Sequence, residues 1–168
     1  LMRVNLWPVM AASNYQLEVN ELTQKWFDAA KGAAPLTGTG VLGYDGSTQG
    51  TLVLTPLDFA PSPTSAVKFS GMTLDIDASK NAKQVQVSGG MDSLLLSTTD
   101  ETPMQVDLRG LTLSSEQHLG SGDFYVGDSS IKLATAQIKV ADKPAVLIKD
   151  LAQVGSLQES GTAPVSYT

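Results

Sequence analysis

Apolar and polar residues alternate along most of this chain with a period of two. In GMTLDIDA, Met72, Leu74 and Ile76 fall on one side, while Thr73, Asp75 and Asp77 fall on the other. In KQVQVSG, Val85 and Val87 alternate with Gln84, Gln86 and Ser88. TLVLTPLDF (residues 51–59), PMQVDLRGLTLSS (103–115), SIKLATAQIKV (130–140) and AVLIKD (145–150) follow the same pattern. That period belongs to half-buried β-strands, whose successive side chains point to opposite faces. Two of the runs change phase midway. Met104, Val106 and Leu108 are in step, whereas Leu111 and Leu113, beyond Gly110, are out of step with them. An odd shift at a glycine predicts a β-bulge, which inserts one extra residue and bends the strand.

Turn clusters (YDGSTQG, SKNAK, TTDET, HLGSGD, GDSS and ADKP) separate the runs. FAPSPTSAV (59–67), with Pro61 and Pro63, reads as a loop or sheet-edge crossing. The spacing predicts a mainly β fold: an antiparallel meander of about ten strands, as a curved sheet or a sandwich-like arrangement. Parallel pairing would need long crossover helices for which the chain has no room. One helix is predicted over about residues 21–31. Leu22, Trp26, Phe27 and Ala30 lie at helical spacing there, with Asn20 to cap it and Gly32 to end it. Trp26 and Phe27 then form a plug packed on the sheet.

A sheet this long with one short helix has two outcomes. It either closes into a two-layer β-domain or leaves an apolar groove open to a lipid or a partner. For a groove, the expected floor is Leu74, Ile76, Val85, Val87, Val106 and Leu108, with Trp26 and Phe27 as its plug.

The 168 residues fit a single β-rich domain, 1–168. No run is long and apolar enough to span a bilayer, and no signal peptide is visible. The chain starts without an initiator methionine, so a piece of a longer protein is expected. A net charge of −6 leaves no basic stripe for nucleic acid. With no cysteine and one histidine, the chain lacks the residues of thiol catalysis and of the usual zinc centres, and no cofactor is expected.

The remaining chemical candidates are weak. DIDASKNAKQ begins like a calcium loop, with Asp75, Asp77, Ser79 and Asn81 at positions 1, 3, 5 and 7. But Lys80 stands where the loop needs glycine and Gln86 where it needs the bidentate glutamate, so the stretch reads as a hairpin. GTGVLG (38–43) matches a dinucleotide fingerprint but is followed by a turn, not by a helix that could receive a pyrophosphate. His118 is expected in a polar turn near Ser114, Ser115 and Asp123, the basis of an alternative reading as a hydrolase. The pairs Asp75/Asp77 and Asp100/Glu101 fall on outward faces or at turns.

The order of these pieces resembles the YdgA-like family of bacterial envelope proteins, which has no assigned function. The series runs through WPVMAAS and then WFDAAKGAAPL, with Phe27, Ala30, Lys31, Gly32 and Pro35. It continues through GYDG, LTPLDF, KFSGMTLDID, VQVSG, LRGLTLSS and QIKVADKPAVLIKDL. The resemblance implies a parent about three times this length, anchored in the inner membrane with a periplasmic body. It brings no catalytic residues. The implied role is a non-enzymatic structural or interaction module, with lipid or an envelope protein as partner.

Overall fold

The computed structural model describes residues 2–4, 9–160 and 163–167. Trp7 and Pro8 of WPVMAAS, and Thr162 and Thr168 of TAPVSYT, lie outside them. In chain order the elements are β1 (Met2–Val4), β2 (Val9–Gln16), α1 (Gln24–Ala29), β3 (Leu36–Gly43), β4 (Thr48–Leu54), β5 (Leu57–Ser62) and β6 (Ser65–Phe69). They continue with β7 (Met72–Ala78), a 3-10 turn (Lys80–Ala82), β8 (Gln84–Thr98), β9 (Met104–Leu119), β10 (Tyr125–Val140), β11 (Val146–Ser160) and β12 (Ala163–Tyr167). All pairs are antiparallel, in one unclosed sheet of order β1-β2-β3-β4-β7-β8-β9-β10-β11-β12, with β6 also pairing β8 and β5 pairing β6. The proline-containing segment 59–67 is thus largely strand: Phe59 to Ser62 ends β5, Pro63 and Thr64 turn, and β6 returns.

The pairing registers show that several of these strands are halves of longer ones. β8 meets β6 at Phe69↔Leu94 and β7 at Thr73↔Gly90, so both lie in one unbroken register along the same edge of β8. In the same way Leu57↔Phe69 and Leu54↔Met72 continue each other, making β4 and β5 one strand opposite β6 and β7. Six long strands therefore run side by side: 48–62, 65–78, 84–98, 104–119, 125–140 and 146–160. The first two are broken, and the pairing between the other four skips one pair of residues, at a single level that we call the crease.

The crease settles the phase change seen in the sequence. The shift at Gly110 is real, but no extra residue is inserted against the neighbours. Met91↔Leu111 and Ser93↔Arg109 keep one register with β8, and Leu133↔Leu111 with Thr135↔Arg109 keep one with β10. The predicted single-strand bulge is instead a slip shared by every strand. At this level each strand carries two residues without a large apolar side chain: Thr55–Pro56, Ser70–Gly71, Asp92–Ser93, Arg109–Gly110, Ala134–Thr135 and Lys149–Asp150. Positive φ occurs at Gly71 (+90°), Gly110 (+65°) and Asp150 (+53°), on alternate strands of the row. Ser70 fastens the crease from the side: its Oγ accepts from the amides of Asp92 (3.1 Å) and Ser93 (2.9 Å).

Because all strands slip together, the apolar residues stay on one side. Below the crease the paired rows read Leu36, Leu54, Met72, Met91, Leu111, Leu133, Leu151 and Leu52, Leu74, Gly89, Leu113, Ile131. Above it they read Leu57, Phe69, Leu94, Leu108, Ala136, Ile148 and Phe59, Val67, Leu96, Val106, Ile138, Val146. The opposite face is polar, with Thr51 donating to Asp75 (2.7 Å) and Gln86 to Glu116 (3.2 Å).

The helix is shorter than predicted. The Asn20 side chain accepts from the amides of Leu22 and Thr23, holding a turn that delays the helix to Gln24 and leaves Leu22 in solvent, 89% exposed. The end is as expected: Gly32, at φ +86°, donates to the Phe27 carbonyl. α1 lies against β5 at the corner above β3, burying Ala29 and Ala30. Nothing comparable covers the rest of the apolar side among the described residues. The accessible surface is 11538 Å², against roughly 7,900 Å² for a compact protein of this mass.

Two substitutions test the crease. Gly71→Ala places a Cβ 2.8 Å from the Leu54 carbonyl oxygen at a φ of +90°, and should cost about 1–3 kcal/mol in urea unfolding. Ser70→Ala leaves two amides of β8 without their acceptor and should cost about 1–3 kcal/mol by the same measurement.

Candidate functional site

The feature most like a site is the apolar side of the creased sheet, a trough with α1 at one corner. Its floor follows from strand alternation and constant register. Leu74 and Ile76 on β7 lie beside Val85 and Val87 on β8, with Ile76 directly opposite Val87. Across the crease, Val106 faces Leu96 and Ile138, and Leu108 faces Leu94 and Ala136. The six residues expected as a groove floor thus share one side, all half-buried. Sequence reasoning passed over the rest of that surface: Leu94, Leu96, Leu111, Leu113, Ile131, Leu133 and Ile138. Carrying the phase change at Gly110 onto the neighbouring strands would have found them.

The trough is walled on one side by α1. A cleft of about 780 Å³ is lined there by Trp26 and Ala29 of the helix, Pro35, Leu54, Leu57, Phe59 and Phe69. Leu54 lies below the crease and Leu57, Phe59 and Phe69 above it, so this wall joins the two halves of the apolar surface. The helix meets the sheet differently from the predicted plug. Ala29 and Ala30 are the buried contacts, Phe27 is half-buried, and Trp26 is 59% exposed as a side of the cleft. Small alanine side chains bring the helix close to the sheet, and the indole is left over the opening. Lys25 and Asp28 supply the charges at this end.

The other chemical candidates resolve into architecture. The DIDASKNAKQ stretch is a strand, a turn and the start of the next strand, with Asn81 and Ala82 at positive φ in the turn. Asp75 accepts from Thr51, and Ser79 Oγ accepts from the Gln84 amide. GTGVLG lies within β3 and leads into the turn to β4. In that turn Ser47 donates its hydroxyl and its amide to Asp45, and those bonds hold the Asp45 carboxyl below its ordinary pKa. Arg109 and Asp107 pair on the outward side of β9 at 2.9 Å. The hydrogen bond and charge of Asp107 raise the guanidinium pKa.

His118 is not in a turn. It lies within β9, exposed, opposite Gln84 and Val126. The strand geometry separates it from the serines named with it. Ser114 is four residues back, roughly 13 Å along the strand. Ser115 points to the opposite face, since it differs from His118 by an odd number of residues. Asp123 occupies the following turn at φ +58°. Among the described residues no helix is long and apolar enough to cross a membrane.

Comparison with known proteins points to one bacterial family. Residues 1–167 fit the family described as "Bacterial protein of unknown function (DUF945)". The chain is similar to Protein YdgA of Escherichia coli (strain K12), 28% identical over 153 residues, which is 90% of this chain and 30% of that protein. It is also similar to the Uncharacterized protein YihF of the same strain, 30% identical over 133 residues, or 79% of this chain and 26% of that protein. The chain therefore spans less than a third of the length of these relatives. No solved structure matches. On a match that runs through nearly every residue, the chain belongs to the DUF945 family of bacterial proteins of unknown function.

Proposed function

We propose that this chain is a non-enzymatic binding module of an inner-membrane-anchored, periplasmic envelope protein, and that its trough takes up lipid acyl chains. The observation that carries the reading is the continuity of the apolar rows across the crease, with most of their side chains left half-exposed. Ile131 at 51%, Leu96 at 37% and Ile138 at 37% exposed line one side of a sheet whose other side is polar. Apolar surface on this scale marks a site of association in a water-soluble domain. An acyl chain laid on it gains roughly 0.8 kcal/mol for each methylene removed from water. A trough lined by Leu, Ile, Val and Phe, with little charge inside, recognises length and greasiness and not a headgroup. The envelope location rests on the family resemblance, and the anchor belongs to the longer protein.

Ile131→Asp with Ile138→Asp puts two carboxylates on the trough side at positions exposed enough to tolerate them. Native mass spectrometry of the protein purified from cells should show lipid adducts, reduced about tenfold in this variant. Thr112→Asp, on the polar side, should keep them. A ligand-free native mass for the unsubstituted protein, with no uptake of a fluorescent fatty acid, contradicts the proposal. His118→Ala should leave lipid uptake and any cellular phenotype of the longer protein intact. Loss of that phenotype with the fold retained would favour a hydrolase.

A further inference from the structure

Asp45 is the only aspartate or asparagine in the chain that is followed by glycine. Such a pair is chemically unstable, because no side chain on the glycine hinders ring closure. The glycine nitrogen gives up its proton and attacks Cγ of the aspartic acid. A carbon–nitrogen bond forms, one carboxyl oxygen leaves as water, and the product is a cyclic succinimide. A water molecule from solvent then opens the ring. Attack at one carbonyl restores aspartate; attack at the other routes the backbone through the side chain, as isoaspartate. The turn between β3 and β4 nevertheless requires the glycine. Gly46 sits at φ +83°, where a side chain is strained, and a Cβ there would lie 3.2 Å from Lys80 Cγ.

We propose that Asp45 is the isoaspartate-forming site of this chain, and that the GYDGS turn (43–47) holds it in check with Ser47 as the positioning residue. Ring closure needs a neutral carboxyl and a free amide nitrogen, and the turn withholds both. The Ser47 hydroxyl (2.6 Å) and amide (2.9 Å) donate to the same Oδ1 of Asp45, which favours the charged carboxylate and fixes its orientation. The Gly46 amide, the attacking group, donates to the Gly43 carbonyl at 3.0 Å and must break that bond to react. Gly43 makes the room. A Cβ at residue 43 would lie 2.5 Å from Asp45 Oδ1 and 2.7 Å from Ser47 Oγ, so glycine lets the two side chains fold back over the turn. The two aspartates followed by serine, Asp92 and Asp128, lie inside β8 and β10. Isoaspartate adds one backbone atom to the turn. The bond from the Gly43 amide to the Ser47 carbonyl (2.8 Å), which closes the β3–β4 hairpin, would be displaced by it.

Tandem mass spectrometry that separates aspartate from isoaspartate at residue 45 tests this during prolonged incubation at neutral pH. The folded protein should convert about tenfold more slowly than the free peptide GVLGYDGSTQG (40–50), as the strength of hydrogen bonds to a charged group implies. Ser47→Ala in the folded protein should lose most of that protection, whereas Ser47→Thr, which keeps a hydroxyl, should retain it. Far-ultraviolet dichroism checks that both variants keep the sheet. Should Ser47→Ala fail to fold, the unsubstituted protein and Ser47→Thr, each set against the peptide, still decide the matter. Conversion of the folded protein as fast as the peptide overturns the proposal. So does a folded Ser47→Ala protein that converts no faster than the unsubstituted one, or isoaspartate that appears first at another aspartate.

Discussion

A β-strand shows its side chains to alternate faces, and a sheet holds its strands in register; everything else in this structure follows from keeping both rules across a bend. If one strand slipped its phase alone, its apolar residues would leave the shared face while its neighbours' stayed. Here six strands slip together. The registers on either side of the crease are unbroken, so the sheet bends without losing its division into a greasy side and a wet one. The cost is concentrated in a row of small or polar residues, three of them at positive φ, with Ser70 satisfying two amides at the break.

Among the described residues the bend comes without a second layer. Among the same residues the buried apolar side chains are Ala11, Ala29, Ala30, Pro35, Val126 and Ala136. Larger residues of the trough stay half-exposed, forgoing part of the roughly 1.5–3 kcal/mol that complete burial of each would contribute. Long, continuous pairing between β8, β9 and β10 carries the architecture in place of a sealed core. A fold arranged this way gains stability from whatever covers the trough, by simple mass action.

Much of this was legible in the residues. Alternation alone gives the antiparallel sheet and the side on which Leu74, Ile76, Val85, Val87, Val106 and Leu108 lie. The collinear motifs give the family. The slip at Gly110 was visible too, but one strand read by itself cannot tell an inserted residue from a shared crease. That distinction depends on pairing partners distant in sequence, such as Leu94 with Leu108, or Leu111 with Leu133. The helix was misjudged for a local reason. Leu22 stands at helical spacing, yet the Asn20 carboxamide captures the amides of Leu22 and Thr23 and ends the turn there. His118 looked like a turn residue because its neighbours are polar, whereas polar residues fill the outward positions of β9 almost to its end. Whether the sheet would close on itself could not be read from the pattern, since a sandwich and an open trough share the same alternation.

The central claim is that the apolar side of the creased sheet is open to solvent. With no cysteine in the chain, single substitutions Ile131→Cys and Ile138→Cys, with Val126→Cys as the buried reference, make this measurable by a bulky maleimide under native conditions. The account predicts that the first two react at close to the rate of the unfolded protein, while the third reacts only on denaturation. Protection of Ile131→Cys and Ile138→Cys to the level of Val126→Cys in delipidated, monomeric protein would mean the sheet is sealed, and would contradict it.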